Sequence, residues 1–245
     1  MQFKDKIVLI TGASRGIWKA TALEFAKEWA KVVVNYFSSE NEALFVVNEI
    51  KKLWTEAIAI KCDVSEEIEV QKMVKKIMDT FGKIDILVNN AWIVFDVAFF
   101  ERTVEQFKRT LNVNLVWTFL CSKYVSQEML KNNWGKIINI SSTNAMEDFS
   151  PEAIDYDTSK AGIAILTRDL AKQLAPKIQV NAVAPWWVNT DMNKDLPNDF
   201  VQEEIEKIYA KRFAEPVEIA NVVLFLASDK ASFINWSIIK VDWWK

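Results

Sequence analysis

Short apolar runs rich in β-branched residues alternate along the chain with longer segments in which apolar residues recur at helical spacing. Short runs of this kind are typical of strands that are buried on both faces of a parallel sheet. The pattern predicts seven strands, at residues 7–10, 32–34, 57–60, 84–88, 137–140, 178–183 and 238–241. The main helices are predicted between them, at residues 20–28, 40–53, 66–80, 111–130, 159–174 and 216–227.

The alternation of predicted strands and helices indicates repeated strand–helix–strand units. Such units build a doubly wound α/β fold, in which helices cover both faces of a seven-stranded parallel sheet. No Pro/Ser-rich linker or repeat divides the sequence, so we expect residues 1–245 to form a single domain. The least regular stretch, residues 189–213, follows a strand end, and we expect a mobile lid over a site there rather than an inert surface excursion.

Composition removes several classes of function. The chain has no histidine, which excludes Ser-His-Asp and Cys-His hydrolases, His-ligated zinc and imidazole acid–base chemistry. A net charge of −3 argues against a nucleic-acid partner, which usually leaves a basic surface. No apolar run approaches the ~18–20 residues that span a bilayer, and the N-terminus lacks the apolar stretch of a signal peptide. The spacing of Cys62 and Cys121 favours reduced, buried thiols, so we expect a cytoplasmic protein with no membrane or metal association.

The first predicted strand leads into Thr-Gly-Ala-Ser-Arg-Gly-Ile at residues 11–17, before the first helix. A glycine turn in this position lets backbone N–H groups and the helix dipole hold a pyrophosphate, as in the Rossmann fold. The spacing is Gly-x-x-x-Gly, so its position in the first strand–helix unit carries the argument. No carboxylate precedes Glu40 after the second strand, where an NAD ribose needs one, and the Arg15 guanidinium suits a 2′-phosphate. We therefore expect NADP(H) rather than NAD(H), the alternative for Arg15 being a solvated loop charge.

Tyr156 and Lys160 lie four residues apart, on one face of a predicted helix. The helix follows the fifth strand, whose end carries Ser141 and Ser142, and doubly wound folds bind ligands at such strand ends. A lysine charge ~4 Å from a phenol is worth ~4 kcal/mol at an effective dielectric of ~20, which lowers the phenol pKa by about three units. We expect this charge to bring Tyr156 to a pKa of about 7 for acid–base catalysis, with Ser142 polarising a carbonyl. The alternative is an exposed helical pair without function.

Together these segments resemble the classical short-chain dehydrogenase/reductase family, essentially from residue 6 to residue 242. The likeness is carried by residues 11–17, Asp63 with Val64, Asn89-Asn90-Ala91, Asn114, Ser142, Tyr156 with Lys160, and Pro185 followed by Thr190. The resemblance implies that Ser142 and Tyr156 flank the substrate carbonyl and that Lys160 also holds the nicotinamide ribose. It implies that Asn114 holds a water in the proton relay. Ser141 is the alternative to Ser142.

The resemblance also implies which residues bind the cofactor. Tyr156 and Lys160 belong to this set as well as to the catalytic one. Asp63 and Val64 are expected at the adenine, and Asn89 and Ala91 on the adenosine side. The remaining residues lie in the turn and after the sixth strand, with Thr190 at the nicotinamide or phosphate side: Gly12, Ser14, Arg15, Gly16, Ile17, Pro185 and Thr190.

Within that family the chain is most similar to the 3-oxoacyl-acyl-carrier-protein reductases, on residues 89–91, 112–115 and 225–229. This likeness implies NADPH-dependent reduction of 3-oxoacyl thioesters in fatty acid synthesis, and a homotetramer. An acidic acyl carrier protein would need a basic docking patch, for which the candidates are Lys131, Lys136 and Lys177. The alternatives are a sugar or polyol dehydrogenase of the same family, or a scaffold protein that binds no cofactor.

Glycine and tryptophan depart from the family pattern, since the chain has 5 glycines and 11 tryptophans. Trp29 and Trp54 each fall between a helix end and the next strand, where a left-handed glycine cap is expected. Tryptophan stands where the family has glycine at nine positions, namely Trp18, Trp29, Trp54, Trp92, Trp117, Trp186, Trp236, Trp243 and Trp244. Trp18 replaces a glycine that permits close helix packing, and Trp92 and Trp186 are expected to crowd the cofactor cleft.

Three explanations of these tryptophans compete. They belong to a remodelled scaffold protein, they were engineered, or a UGA codon that the source reads as glycine has been translated as tryptophan. The loss of glycine and the excess of tryptophan coincide at the same positions, which favours the third hypothesis.

Overall fold

The computed structural model describes residues 1–147, 149–194 and 196–243, with Met192 described by its backbone alone. Its strands are β1 (Ile7–Ile10), β2 (Lys31–Tyr36), β3 (Ala57–Lys61), β4 (Ile86–Asn89), β5 (Gly135–Ile140), β6 (Ile178–Pro185) and β7 (Ile238–Val241). All pair in parallel in one sheet of order β3-β2-β1-β4-β5-β6-β7. The predicted doubly wound sheet is confirmed.

The helices are α1 (Gly16–Lys27), α2 (Glu40–Lys52), α3 (Glu67–Phe81), α4 (Val104–Leu111), α5 (Trp117–Lys131), α6 (Ile154–Leu174), α7 (Asn198–Lys207) and α8 (Pro216–Ala227). Apolar side chains of α1, α2 and α8 pack on one face of the sheet, and those of α3 and α5 on the other. No helix in the described part of the chain is long and apolar enough to cross a membrane.

The helix predicted at residues 111–130 is interrupted. Helix α4 ends at Leu111, a π-helical turn covers Asn112–Val116, and α5 begins at Trp117. Helix α4 was not predicted, although Val104, Phe107 and Leu111 recur in it at helical spacing. It begins with a capping box, in which Thr103 and Gln106 bond each other's backbone N–H groups.

The expectation of an irregular stretch at residues 189–213 is wrong in one respect, because α7 lies inside it. None of the described side chains of α7 is buried, which is why its sequence lacks an apolar period. The stretch includes Asp195, which lies outside the described residues. Trp187, just before it, stacks on Phe213 at 5.5 Å and donates its indole N–H to Glu204 at 2.8 Å.

The strand order determines where the ligand-binding cleft lies. The chain winds outward from β1 through β2 to β3, and then crosses to β4 on the other side of β1. Loops that leave the carboxyl ends of β1 and β4 therefore diverge, and ligands of doubly wound folds bind in the crevice between them.

Candidate active site

The turn at residues 11–17 has a backbone that requires glycine. Gly12 and Gly16 adopt φ values of 65° and 57°, in the left-handed region that strains other residues. A side chain on Gly12 would also meet the Cα of Ala91 at 3.2 Å. Helix α1 begins at Gly16, and its N-cap residue Arg15 supplies no side-chain hydrogen bond. The N–H groups of the first helical turn are thus left for an anion.

Asn35, at the end of β2, anchors this turn. Its Oδ1 accepts from the Gly12 N–H at 3.2 Å, while its Nδ2 donates to the Ile60 carbonyl at 3.3 Å. Asn90 ties the turn to β4, since its N–H and its Nδ2 donate to Thr11 at 2.9 and 3.0 Å. The sequence analysis missed Asn35 as a site residue. A buried amide directly after an apolar strand was the one indication available.

Arg15 reaches from the turn to the end of β2. Its guanidinium donates to the Ser39 hydroxyl at 2.9 Å, immediately before α2 begins. Ser14 and Ile17 are half-buried on either side of it. Thr190, after β6, lies over Gly16, because its methyl is 3.5 Å from the place where a Gly16 side chain would begin. The predicted turn residues and Thr190 therefore come together.

Other predicted cofactor residues lie at strand ends. Asp63 and Val64 follow β3, where the Asp63 carboxylate accepts from the Ser65 N–H at 3.0 Å and from its hydroxyl at 2.6 Å. Pro185 is the buried last residue of β6. These three residues lie at the carboxyl edge of the sheet, as the prediction requires.

Asn89 and Ala91 make contacts within the protein. The Asn89 amide is buried and donates to Ser122 and to Asn139, each at 2.9 Å. Its amide nitrogen is therefore used inside the fold, while its buried Oδ1 has no hydrogen-bond partner among the described residues. The Ala91 carbonyl accepts from the indole of Trp117 at 3.0 Å.

Tyr156 and Lys160 lie on the first turns of α6, beside the end of β5. The Lys160 ammonium donates to the Ile140 carbonyl at 2.9 Å and lies 5.4 Å from the centre of the Tyr156 ring. The Ser142 hydroxyl lowers the pKa of Tyr156 and accepts from the Asn144 N–H at 3.2 Å. The Ser141 hydroxyl instead donates to the backbone carbonyl of Lys160 at 3.0 Å. The structure therefore pairs Ser142, and not Ser141, with the phenol.

The expected pKa of Tyr156 is wrong. Burial raises the pKa of Tyr156 to about 12; the hydrogen bond with Ser142 lowers it, and the charge of Asp157 adds to the rise. Burial also lowers the pKa of Lys160 to about 7. The sequence argument counted the attraction between phenolate and ammonium but not the desolvation of both groups. The group that titrates near neutral pH is Lys160.

Asn114 is buried in the π-helical turn. Its Nδ2 donates to the Ile93 carbonyl at 2.9 Å and to Ser159 at 3.0 Å, and its Oδ1 accepts from the Ile93 N–H at 2.8 Å. Its side chain thus ties the segment after β4 to α6. The predicted water would have to bind the Asn114 backbone carbonyl, which already accepts from Thr118 at 2.9 Å.

The indole of Trp92 lies against the catalytic pair. Its ring is 5.5 Å from the Tyr156 ring in an edge-to-face arrangement, and its centre is 6.0 Å from the Lys160 ammonium. The glycine turn suits a diphosphate, and the indole narrows the space in front of Tyr156 where a nicotinamide would bind. Trp186 is half-buried directly after β6, and Trp244 lies outside the described residues.

One of the three lysines predicted for the basic docking patch does not belong to it. Lys136 is buried, its Nζ donates to Gln179 and to the Ser228 carbonyl, and burial lowers its pKa. It therefore cannot present a charge to a partner. Lys131 is exposed and paired with Glu128 at 2.7 Å.

Comparison with known proteins agrees with this geometry. Residues 12–243 match the family described as Enoyl-(Acyl carrier protein) reductase. The chain is 40% identical over 240 residues to the 3-oxoacyl-acyl-carrier-protein reductase FabG of Staphylococcus epidermidis, covering 97% of this chain and 98% of that one. It is 41% identical over 239 residues to the Synechocystis 3-oxoacyl-acyl-carrier-protein reductase, covering 97% and 95%.

Solved structures show the same relationship. A double mutant of a Serratia marcescens short-chain dehydrogenase/reductase superposes with a TM-score of 0.94 at 31% identity, covering 99% of this chain and 98% of that one. Levodione reductase superposes with a TM-score of 0.93 at 30% identity, covering 98% and 97%. The family match, the identities and the superpositions show that the chain belongs to the short-chain dehydrogenase/reductase family of oxidoreductases.

Proposed function

We propose that the protein reduces 3-oxoacyl thioesters to 3-hydroxyacyl thioesters with NADPH, the substrate being carried on acyl carrier protein. The observation that carries the proposal is that the half-buried Tyr156 lies with the buried Ser142 and Lys160 at the carboxyl end of β5. The names of the relatives from Staphylococcus epidermidis and Synechocystis supply the substrate class.

Reduction suits the protonation state of Tyr156. A phenol with a pKa of about 12 keeps its proton at neutral pH and can donate it to the oxygen of a carbonyl that is being reduced. The Ser142 hydroxyl, on the same phenol, is positioned to donate a second hydrogen bond to that oxygen. Lys160, with a pKa of about 7, can take up or release a proton at neutral pH. A bound nicotinamide would supply the hydride.

NADPH is favoured over NADH by Arg15. Its guanidinium donates to the Ser39 hydroxyl after the end of β2, and no carboxylate lies in the sequence between β2 and Glu40. We expect Arg15→Ala to weaken NADPH binding by about tenfold, the usual value of one charge-assisted contact, and to leave NADH binding unchanged. Equal losses for both cofactors, measured by titration of their fluorescence, would contradict this assignment.

We also propose a cytoplasmic homotetramer. Strand β7 lies at an edge of the sheet and all its residues are only half-buried, in contrast to the fully buried β1. Phe233, in the segment before β7, is exposed, and so is Phe225 on α8. A neighbouring copy would cover these apolar groups.

The decisive experiment is an NADPH oxidation assay with a 3-oxoacyl thioester on acyl carrier protein. Because Trp92 covers the catalytic pair, the assay uses both the chain and its Trp92→Gly variant. In the active form, Tyr156→Phe should abolish turnover and leave NADPH binding intact. Turnover with sugars or polyols alone would establish the dehydrogenase alternative, and the absence of any saturable NADPH binding would establish the scaffold.

A further inference from the structure

Tryptophan occupies backbone positions in this protein that suit glycine. Among the described residues, seven that are not glycine have a positive φ, and four of these are Trp29 (69°), Trp54 (62°), Trp236 (72°) and Trp243 (51°). An L-residue is strained in this region, and asparagine and aspartate are its usual occupants after glycine. A bulky aromatic residue there is an outlier.

Two of these residues close helices in the geometry of a glycine cap. After α1, the Trp29 N–H donates to the Ala26 carbonyl at 2.9 Å and the Ala30 N–H to the Phe25 carbonyl at 3.1 Å, which are the two bonds of a Schellman motif. After α2, the Trp54 N–H donates to the Lys51 carbonyl at 3.1 Å.

Two other helices of the same protein end with the residues that this motif favours. Gly82, with φ 76°, follows α3, and Asn133, with φ 56°, follows α5. The caps of α1 and α2 therefore have the backbone of a glycine or asparagine cap and carry an indole instead.

The indoles at the strained positions gain little burial in return. Trp54 is 86% exposed, Trp243 69% and Trp236 50%. The two tryptophans outside the nine glycine positions differ from them. Trp187 stacks on Phe213, and Trp134 lies under the Lys6 ammonium at 3.6 Å, so these indoles have partners that require an aromatic ring.

A second, independent observation concerns the catalytic cleft. Trp92 places its indole against Tyr156 and near Lys160, where it narrows the space for a nicotinamide. The side chains of the catalytic group are otherwise together.

We infer that the working protein carries glycine at positions 29, 54, 92, 236 and 243, because its source reads as glycine a codon that has been translated here as tryptophan. The strained caps and the narrowed cleft then have one cause. The part of the inference that concerns position 92 rests on the proposed function, whereas the part that concerns the helix caps does not.

The direct test is peptide mapping by mass spectrometry of the protein purified from its native cells. Peptides that span positions 29, 54, 92 and 236 should be lighter by the difference between tryptophan and glycine. The peptide with Trp134 should keep the tryptophan mass and serve as the internal control. Tryptophan masses at the first four positions would overturn the inference.

The recombinant test compares the chain with Trp92→Gly and Trp54→Gly, by NADPH fluorescence titration and thermal unfolding. Removing the indole from the cleft should strengthen NADPH binding by about tenfold to a hundredfold, the effect of relieving an overpacked site. Trp54→Gly, the matched control, should leave NADPH binding unchanged and raise Tm by about 2–4 °C as strain is relieved. Trp92→Ala provides a second opening of the cleft if the glycine variant folds poorly.

Each outcome separates the two proposals. Equal NADPH affinity in the chain and in both position-92 variants would overturn the inference for the cleft and leave the proposed function standing. A position-92 variant that binds NADPH but reduces no 3-oxoacyl thioester would overturn the proposed function and leave the inference standing. A lower Tm for Trp54→Gly would overturn the inference for the caps.

Discussion

Burial sets opposite protonation preferences on two neighbouring side chains. Tyr156, with its pKa raised to about 12, holds a proton through the whole neutral range, while Lys160, with its pKa lowered to about 7, gives one up readily. The two serines at the end of β5 also have different roles. Ser142 interacts with the phenol, and Ser141 bonds the backbone of α6.

The serines provide a matched pair of substitutions in the Trp92→Gly background. Ser142→Ala should lower kcat by about 10²–10³-fold, the loss that follows removal of one oxyanion donor. Ser141→Ala should leave most of the turnover and reduce the free energy of unfolding by about 1 kcal/mol, since it removes a buried hydrogen bond. Steady-state kinetics and urea unfolding measure the two effects. The opposite assignment would give Ser141→Ala the larger loss of kcat.

The lowered pKa of Lys160 makes stability depend on pH. Between about pH 7 and 10.5 the unfolded lysine binds a proton that the folded one has released, so the free energy of unfolding rises with pH in this window. From pH 7 to pH 9 this contribution is about 2 kcal/mol. Urea unfolding at the two pH values should show this gain in the chain, relative to Lys160→Met. An identical pH dependence in the two proteins would show that Lys160 keeps its ordinary pKa.

At the scale of elements, the strands are predictable because burial on both faces favours short runs that are mostly apolar. Strands β1 and β7 have the predicted bounds, and α8 does as well. Helix α7 and the π-helical turn at Asn112–Val116 were not predictable, because neither depends on a regular apolar period. Both elements lie beside the cleft, where function disturbs local patterns.

The residue types of the site were predictable, and their environments were not. Motif spacing indicated Tyr156, Lys160 and Ser142, which the structure brings together. The roles of Asn35 and of the Asn89 amide depend on partners that are distant in the sequence, such as Ile60 and Asn139. The pKa of Tyr156 depends on its burial, which spacing along a helix does not reveal.

The entry of α6 is fixed by a buried ion pair. Asp155, next to Tyr156, forms an ion pair with the Arg102 guanidinium at 2.7 Å and accepts from the Thr110 hydroxyl at 2.7 Å. Arg102 in turn donates to the Phe95 carbonyl at 2.8 Å. The loop after β4 and helix α6 are therefore joined beside the phenol.

We expect Asp155→Ala to lower the free energy of unfolding by about 3–5 kcal/mol, because the buried Arg102 charge loses its partner. The matched control is Asp79→Ala in the exposed Lys75–Asp79 pair of α3, at 2.6 Å, whose loss should change stability by less than about 1 kcal/mol. Urea unfolding of both variants checks the difference. Comparable losses would mean that Arg102 finds other partners or water when Asp155 is removed.

At the scale of the whole molecule, the sheet is covered by helices on its faces and open at β7. If the protein is a homotetramer, sedimentation should give a mass four times that of the 28.2 kDa chain. Phe233→Glu, which places a charge on a fully exposed apolar position near β7, should shift the protein toward smaller species. The matched control is Phe100→Glu, at an exposed position in the loop after β4, which should leave the mass unchanged. A monomeric parent chain would contradict the assembly.

The open strand also bears on how copies of this protein meet as they fold. An unpaired strand edge can pair with a strand of any other chain. In a newly folded copy, assembly with the proper partner therefore competes with aggregation. Lys240 is the one charged residue of β7, and it is held at the edge by Glu147 at 2.7 Å. A lysine in this position disfavours indiscriminate strand pairing. The yield of soluble protein on refolding should therefore depend on this single charge and on chain concentration.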